Sequence, residues 1–449
     1  MAYLKRKVDA FLHDWRNRAD RRPLIVTGAR QIGKTESILH FAANEYRQVV
    51  YINFVERPEF AKVTVDGYSA ESIVRNISQI DGSFRFVPHE TLIVFDEIQE
   101  FPDIATSFKF FNIDGRYDVV ASGSLLGVHY KKSHSISVGY QETFERHALD
   151  CEEFLWAVGR DGEFIGGIED AMHEGRAFSD VTMEVMSRHF LHYSITGGMP
   201  AAVTKFVESG NFSEVGSIQK EIIAAYRNDC GKYCDGLDAV KIRAIFDSVP
   251  AQLAKENKKF QYSKVSRNAR AREYGGCVDW LVEAGIVNRC CNMQFPELPI
   301  KGNVHSDVFK LYMADTGLLV SMLDEESALD FKMNRNFGTY RGGLVENIVA
   351  EAFRKAGKEL VYFKRDDSTL EEDFFLRTAD SLVPVEVKAR GGSAKSLKTL
   401  IASEHYWDIR FGVKLHGGNI GFMGNVWTFP LFCAFLLPRT VQSLEAKTR

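Results

Sequence analysis

A glycine-rich segment that fits G-x-x-x-x-G-K-[ST] runs from Gly28 to Thr35. In such a loop, backbone N–H groups turn around a phosphate, and the next helix adds the positive end of its dipole. Lys34 is expected to reach the β- and γ-phosphates of ATP, and the Thr35 hydroxyl to ligate Mg²⁺. An apolar run precedes the loop and helical sequence follows it, which disfavours a chance glycine turn. The predicted nucleotide contacts are Gly28, Ala29, Arg30, Gln31, Ile32, Gly33, Lys34 and Thr35.

Two carboxylates end a second apolar run, TLIVFDEIQE, at residues 91–100. They are predicted at the C-terminal end of a buried parallel strand, where α/β proteins place their ligand sites. Asp96 is expected to hold Mg²⁺ through water, and Glu97 to polarise the attacking water. Ser122 or Ser124, after a further strand, is predicted beside the γ-phosphate of ATP as a polar sensor. A capping serine in a tight turn is an equal alternative.

A third set of chemical groups lies near the C-terminus, in two predicted strands that contain EEDFFLR and LVPVEVKAR. Glu386 and Lys388 share one face of their strand because strand positions i and i+2 do. Asp373 on the neighbouring strand is expected to meet them. Two carboxylates that hold Mg²⁺, with a lysine beside them, make a phosphodiesterase site. The alternatives are an exposed Glu–Lys pair on an edge strand and a fold that has lost catalysis and only binds.

Several segments together resemble the bacterial and archaeal AAA-type ATPases that carry a C-terminal domain of unknown function. These are GARQIGKT, TLIVFDEIQ, ASGSLL, ETFERHALDCEEFLWAVG and TGGMP, in this order. The resemblance implies binding and hydrolysis of ATP with Mg²⁺, and it allows a homo-oligomer because such relatives often act as rings. Tyr140 stands where relatives often carry arginine, so no arginine finger is assigned. Arg116 and Arg146 are the candidates.

The C-terminal third resembles the PD-(D/E)xK restriction-endonuclease superfamily in its order of helix, strand, Asp, hairpin and Glu-x-Lys. The resemblance implies that Asp373, Glu386 and Lys388 carry the chemistry. It also implies that Glu346, on the leading helix, adds a metal ligand to Asp373 and Glu386.

The elements that position these groups predict an α/β protein of three domains. Residues 1–205 are expected to form a P-loop AAA-type ATPase domain around a parallel sheet. Residues 206–330 are expected to form a helical, winged-helix-like module, and residues 331–449 an α/β restriction-endonuclease-like domain.

The middle module contains a basic segment, residues 255–272, which has a single acid, Glu256. Such a cluster is typical of phosphate contacts and predicts DNA or RNA binding, together with residues 388–398. A solvated helix face, or a surface that docks the acidic ATPase domain, is the alternative. The basic residues are Lys255, Lys258, Lys259, Lys264, Arg267, Arg270 and Arg272.

Composition limits the class of protein. The net charge of −4 excludes a protein that coats nucleic acid with its whole surface. The seven cysteines show no C-x-x-C spacing, which favours a reducing cytoplasm. The apolar stretch Val426 to Pro438 is too short to span a bilayer, so no membrane contact is expected.

These patterns predict a cytoplasmic ATPase whose nucleotide state governs a nuclease-like domain that acts on or binds nucleic acid. A nucleotide-dependent binding switch for a protein partner, with a silent C-terminal domain, is the alternative. A small-molecule kinase is a third hypothesis, which the second set of carboxylates disfavours.

Overall fold

The computed structural model describes residues 3–123, 139–232, 237–333, 338–365, 368–389 and 392–448. The chain divides into two compact units, residues 1–148 with 283–285, and residues 149–282 with 286–449. Among the described helices, none is both long and apolar enough to cross a membrane.

The first unit contains the helices α1 (Lys7–Asn17), α2 (Lys34–Glu45), α3 (Ala70–Ile80) and α4 (Phe108–Asp114), and the strands β1 (Leu24–Thr27), β2 (Gln48–Asn53), β3 (Thr91–Asp96), β4 (Asp118–Ser122) and β5 (Glu142–Glu145). The strands form one sheet in the order β2-β3-β4-β1-β5, and each neighbouring pair is parallel. The predicted α/β fold with a parallel sheet is therefore confirmed.

Both faces of this sheet are buried, which explains why its central strands are apolar throughout. Ile25 lies in one hydrophobic core, whereas Leu24 and Val26 lie in the other, together with Trp15 of α1. This alternation follows from the period of two in a strand. As a result, the polar ends of the strands are the positions left to carry chemistry.

The second unit begins with helices. They are α5 (Cys151–Ala157), α6 (Gly162–Glu174), α7 (Asp180–Thr196), α8 (Pro200–Ser209), α9 (Phe212–Lys232), α10 (Leu237–Leu253) and α11 (Ala271–Glu283), the last of which straddles the boundary between the units. The apolar residues that recur at helical spacing in α10 are all buried: Ile242, Ile245, Phe246, Val249 and Leu253.

The unit continues with β6 (Val287–Met293), α12 (Ile300–Asn303), β7 (Val304–Met313), α13 (Thr316–Ser321), α14 (Glu325–Lys332), α15 (Gly338–Lys355), β8 (Val361–Lys364), β9 (Glu371–Glu372), β10 (Phe374–Arg377), β11 (Leu382–Val387), α16 (Lys395–Ile401), β12 (Gly412–His416), β13 (Gly421–Met423), β14 (Val426–Pro430) and α17 (Leu437–Thr448). Its described strands form two sheets, with the orders β7-β6-β8-β9 and β10-β11-β12-β14-β13.

The predicted hairpin before Glu-x-Lys is present, because β10 and β11 pair antiparallel with Phe374 opposite Val385. A helix and a strand, α15 and β8, precede this hairpin, and α16 and β12 follow it. Strand β8 also pairs in parallel with β6, from the stretch predicted as the middle module. The two predicted C-terminal modules therefore share one sheet.

Candidate functional site

The loop between β1 and α2 has the backbone of a phosphate-binding turn. Gly28 (φ 143°) and Gly33 (φ 80°) adopt conformations that side chains disfavour, and Gly33 is the N-cap of α2. A Cβ on Gly28 would lie 2.2 Å from the carbonyl oxygen of Arg146. Only glycine fits there, because the chain after β5 passes directly against the loop. Of the other predicted contacts, Ala29 and Ile32 are buried, Arg30 is half-buried and Gln31 is exposed.

Lys34 folds back over this loop. Its Nζ donates hydrogen bonds to the carbonyl oxygens of Gly28 (3.1 Å) and Ala29 (2.8 Å). Burial lowers the pKa of Lys34 to about 8, against the opposing effect of the Glu97 and Asp96 carboxylates. The Lys34 ammonium thus contacts loop carbonyls, and a bound phosphate would replace these carbonyls as its hydrogen-bond acceptor.

Asp96 links the loop to the end of β3. Its Oδ2 accepts hydrogen bonds from the Thr35 hydroxyl (3.0 Å), the Tyr51 hydroxyl (2.8 Å) and the Asn53 amide (3.3 Å). Only 2% of Asp96 is exposed. Since β2 and β3 are parallel with Asn53 opposite Asp96, the sheet itself brings these groups together. Sequence reasoning missed Tyr51 and Asn53, although their place at the end of β2 was a usable signal.

Glu97 follows directly and has a left-handed backbone (φ 56°), which is rare for a residue with a side chain. Such conformations cost about 1–3 kcal/mol and concentrate at functional sites. The Gln99 amide donates to the Glu97 carboxylate, which is also among the charges that act on Lys34. The predicted water-polarising carboxylate therefore lies on the same side of the sheet edge as the loop.

The two serines predicted as sensors differ in outcome. Ser122 is buried at the end of β4 and donates to Oδ1 of Asp96, so it belongs to the same cluster. Ser124 lies outside the described residues.

The two arginine-finger candidates, Arg116 and Arg146, lie at opposite edges of the parallel sheet. Arg116 forms an ion pair with Asp114 before the start of β4, at the N-terminal edge of the parallel sheet. Arg146 follows β5 at the C-terminal edge and donates to the Gly33 carbonyl. Of the two, only Arg146 lies beside the loop.

These groups fit a nucleoside triphosphate and Mg²⁺. Mg²⁺ prefers oxygen ligands, and the Thr35 hydroxyl and Asp96 carboxylate supply two that are already 3.0 Å apart. The loop leads into the N-terminus of α2, whose first residues favour an anion such as phosphate. Thr35 and Asp96 would hold the metal, and Lys34 would contact the phosphates.

The carboxylates predicted near the C-terminus divide between two groups. Glu346, on α15, accepts hydrogen bonds from Lys258 Nζ (2.7 Å) and the Tyr312 hydroxyl (3.1 Å), and Lys310 Nζ lies 3.9 Å from it. Asp373 accepts the Val387 N–H (2.9 Å). Burial and then the Glu346 carboxylate raise the pKa of Asp373 to about 7. Lysines thus occupy the surroundings in which Glu346 was predicted to bind metal.

The second group contains Glu386 and Lys388. It also contains Glu372, which was not predicted as a site residue. Lys388 Nζ lies 2.7 Å from Glu386 Oε1. Glu372 is fully buried, and neither of its carboxylate oxygens has a hydrogen-bond partner among the described residues. Burial and then the Glu386 carboxylate raise the pKa of Glu372 well above its usual range. The position of Glu372 next to Asp373 in EED was the signal that could have indicated it.

No cluster of three or more His, Cys, Asp or Glu side chains suited to hold a metal is found within the described ranges. The three predicted carboxylate ligands, Glu346, Asp373 and Glu386, are therefore not gathered into such a cluster. The reason is physical: Lys258 and Tyr312 engage Glu346, and a backbone N–H engages Asp373.

The basic segment 255–272 is only partly a surface feature. Lys258 is directed inward to Glu346, and its side chain is 12% exposed. Lys255 is half-buried. The other five basic residues are exposed: Lys259, Lys264, Arg267, Arg270 and Arg272. In the predicted segment 388–398, Lys395 and Lys398 lie on α16.

Three family models match parts of the chain. Residues 20–155 match a model described as an AAA domain. Residues 187–329 and 341–432 each match a domain of unknown function, DUF8612 and DUF4143 respectively. No curated protein matches the chain.

Several solved structures match parts of the chain. The Walker-type ATPase PABY2304 of Pyrococcus abyssi is 12% identical, with 71% of this chain and 96% of that chain covered and a TM-score of 0.41. The Orc1 protein of Aeropyrum pernix, solved in complex with DNA, is 11% identical, with 73% and 90% covered and a TM-score of 0.29. The RuvB Holliday junction branch migration motor of Thermotoga maritima is 11% identical, with 63% and 87% covered and a TM-score of 0.31. The family match over residues 20–155, on a parallel sheet with this loop, identifies that part of the chain as an AAA-type P-loop ATPase domain.

Proposed function

We propose that the first unit binds ATP with Mg²⁺ at residues 28–35 and hydrolyses it. One observation carries this proposal: the Thr35 hydroxyl lies 3.0 Å from the Asp96 carboxylate, although 61 residues separate them. A phosphate-binding loop and a strand-end carboxylate that meet in this way supply both halves of a nucleotide–magnesium site.

Each side chain then has a defined task. Lys34 would leave the carbonyls of Gly28 and Ala29 and pair with phosphate oxygens. Glu97 would orient the attacking water, held in place by its left-handed backbone and by Gln99. Bound Mg²⁺ neutralises charge on the phosphates. Asp96 is positioned for this metal by Tyr51 and Asn53, which contact Oδ2 alongside Thr35.

Turnover of ATP by purified protein tests the proposal. We expect Lys34→Ala to abolish hydrolysis and most binding, and Glu97→Gln to lower turnover roughly 100-fold or more while binding persists, because loss of general base assistance costs about 10²–10⁴ in rate. Hydrolysis by Lys34→Ala at the wild-type rate would contradict the proposal.

We propose further that residues 331–449 form a nuclease-like domain governed by the nucleotide state of residues 1–205. The order of α15, β8, the β10–β11 hairpin and α16 supports this. So does the 2.7 Å contact between Glu386, near the end of β11, and Lys388, just after it. The buried carboxylate of Glu372 beside Glu386 would assist them. The exposed part of segment 255–272, with residues 388–398, would contact the DNA or RNA backbone.

The alternative, a binding switch with a silent C-terminal domain, is favoured by a different observation. Lys258 Nζ already lies 2.7 Å from Glu346, so an ammonium group fills a position where a nuclease would hold metal. Single- and double-stranded DNA incubated with wild type, ATP and Mg²⁺ or Mn²⁺ separates the two hypotheses. Cleavage that disappears in Glu386→Gln, with ATP turnover retained, supports the nuclease. Intact DNA whose binding changes with nucleotide supports the switch.

A further inference from the structure

The residue after β5, Arg146, is fixed to the start of the phosphate-binding loop through its backbone. Strand β5 pairs in parallel with β1, with Glu145 opposite Thr27, and the Arg146 N–H donates to the Thr27 carbonyl (2.8 Å). The Arg146 carbonyl lies against Gly28, on the side where a Cβ would clash. Arg146 therefore has a defined position relative to the loop, set by the sheet rather than by a flexible connection.

The side chain of Arg146 turns into the loop. Arg146 is only 4% exposed, and its guanidinium donates to the carbonyl of Gly33. Lys34 makes the equivalent contacts at the other end, with Gly28 and Ala29. Two cations of the same chain thus rest on neutral carbonyls of one loop.

Two positive charges on one loop repel each other, although the carboxylates of Asp96 and Glu97 lie nearby. A polyphosphate would relieve this repulsion, and a guanidinium matches phosphate oxygens with two parallel N–H donors.

We propose that Arg146 is a same-chain phosphate contact: on binding of a nucleoside triphosphate, its guanidinium moves from the Gly33 carbonyl to the phosphates. The inference rests on the proposed ATP site and goes beyond it, since it makes the positive charge around the phosphates independent of a neighbouring subunit. Arg146 is a positioning residue for the phosphates, and Glu97 remains the group that orients water.

Replacement of Arg146 by Gln and by Lys separates this role from a structural one. Gln retains a neutral N–H donor for Gly33 and removes the charge, so a purely structural role predicts wild-type affinity. We expect Arg146→Gln to bind a fluorescent ATP analogue roughly 10- to 100-fold more weakly, the usual range for loss of a charged hydrogen bond. Its affinity should also depend less on salt, since one ion pair is lost. Arg146→Lys keeps the charge without the planar guanidinium, so its affinity for the analogue should lie between those of wild type and Arg146→Gln.

Arg116→Gln is the matched control, because Arg116 is paired with Asp114 away from the loop. It should bind the analogue as wild type does. Thermal unfolding of each variant checks the fold. If Arg146→Gln does not fold, Arg146→Lys decides, and wild-type affinity in that folded variant overturns the proposal.

A mixing experiment tests the same-chain requirement. Lys34→Ala chains, which are expected to be inactive, and Arg146→Gln chains, which are expected to bind ATP weakly, are combined at several ratios, and ATP turnover is measured at an ATP concentration that does not saturate Arg146→Gln. A same-chain role predicts no recovery of activity, and recovery would assign Arg146 to a neighbour's site. Failure of wild type to bind the analogue would refute the ATP site itself, whereas wild-type affinity in Arg146→Gln would refute only this inference.

Discussion

The ion pair between Lys258 and Glu346 allows a quantitative prediction. Their atoms lie 2.7 Å apart, and the side chains are 12% and 6% exposed. At an effective dielectric constant of about 20, the Coulomb attraction at this distance is about 6 kcal/mol, most of which offsets the desolvation of the two charges. Glu346 also accepts a hydrogen bond from the Tyr312 hydroxyl, and the Lys310 ammonium lies nearby. Glu346 therefore interacts with more polar groups than Lys258 does.

This difference predicts unequal effects of the two single substitutions. Glu346→Leu leaves Lys258 and Lys310 without this carboxylate and is expected to cost about 4 kcal/mol of unfolding free energy. Lys258→Met leaves Glu346 with Tyr312 and Lys310 and is expected to cost about 2 kcal/mol. The double variant removes both charges, so it should be no less stable than Glu346→Leu alone, which gives a coupling of about 2 kcal/mol.

Urea unfolding of wild type, both single variants and the double variant measures these values in a double-mutant cycle. Repeating the cycle at high salt is the control, because a buried pair is screened far less than an exposed one. Additive effects of the two substitutions, or a coupling that disappears in salt, would refute the reasoning.

Three further predictions concern single side chains. Gly28→Ala places a methyl group 2.2 Å from the Arg146 carbonyl, so we expect a loss of about 3 kcal/mol in urea unfolding and loss of ATP binding. Burial, and next the charge of Arg160, lowers the pKa of His189 to about 4, so the folded state binds fewer protons than the unfolded state between about pH 6.5 and 4. Over this window the full shift corresponds to about 3 kcal/mol, and because His189 is only half-buried, solvent screening reduces the expected loss of stability to about 2 kcal/mol. Stability should stay flatter in His189→Gln, which unfolding at several pH values measures. Burial raises the pKa of Glu372 well above its usual range, so folding near pH 7 must protonate this carboxyl, and Glu372→Gln, which needs no proton, should raise stability near pH 7 by about 1 kcal/mol in the same assay.

The nucleotide site was largely predictable from sequence because its chemistry is local. The loop from Gly28 to Thr35 is contiguous, and its conformation follows from two glycines and the strand–helix context. Asp96 was predictable because it is the first polar residue after a run of apolar strand residues, and the polar residues that end such a strand lie at the edge of the sheet. The strand order was not predictable, so the contribution of Tyr51 and Asn53 from β2 was missed.

The C-terminal group was harder to predict because it depends on long-range contacts. Alternation along a strand correctly placed Glu386 and Lys388 together. It did not predict that Asp373, at the break between β9 and β10, would accept a hydrogen bond from a backbone N–H. Nor did it predict that the Glu386 carboxylate would raise the pKa of Glu372, after the larger effect of burial. Charge counting also misassigned Lys258 to the surface, because composition does not distinguish a solvated lysine from one with a buried partner.

The parallel pairing of β6 with β8 has a consequence for how this protein can vary over evolution. A gene fragment that begins at residue 331 would encode β8 without β6, leaving a row of backbone N–H and C=O groups unpaired on one side. It would also encode Glu346 without Lys258, a buried charge lacking its main partner. Recombination is therefore expected to exchange residues 206–330 and 331–449 together, and chimaeras joined near residue 330 should be insoluble whereas those that carry both stretches fold.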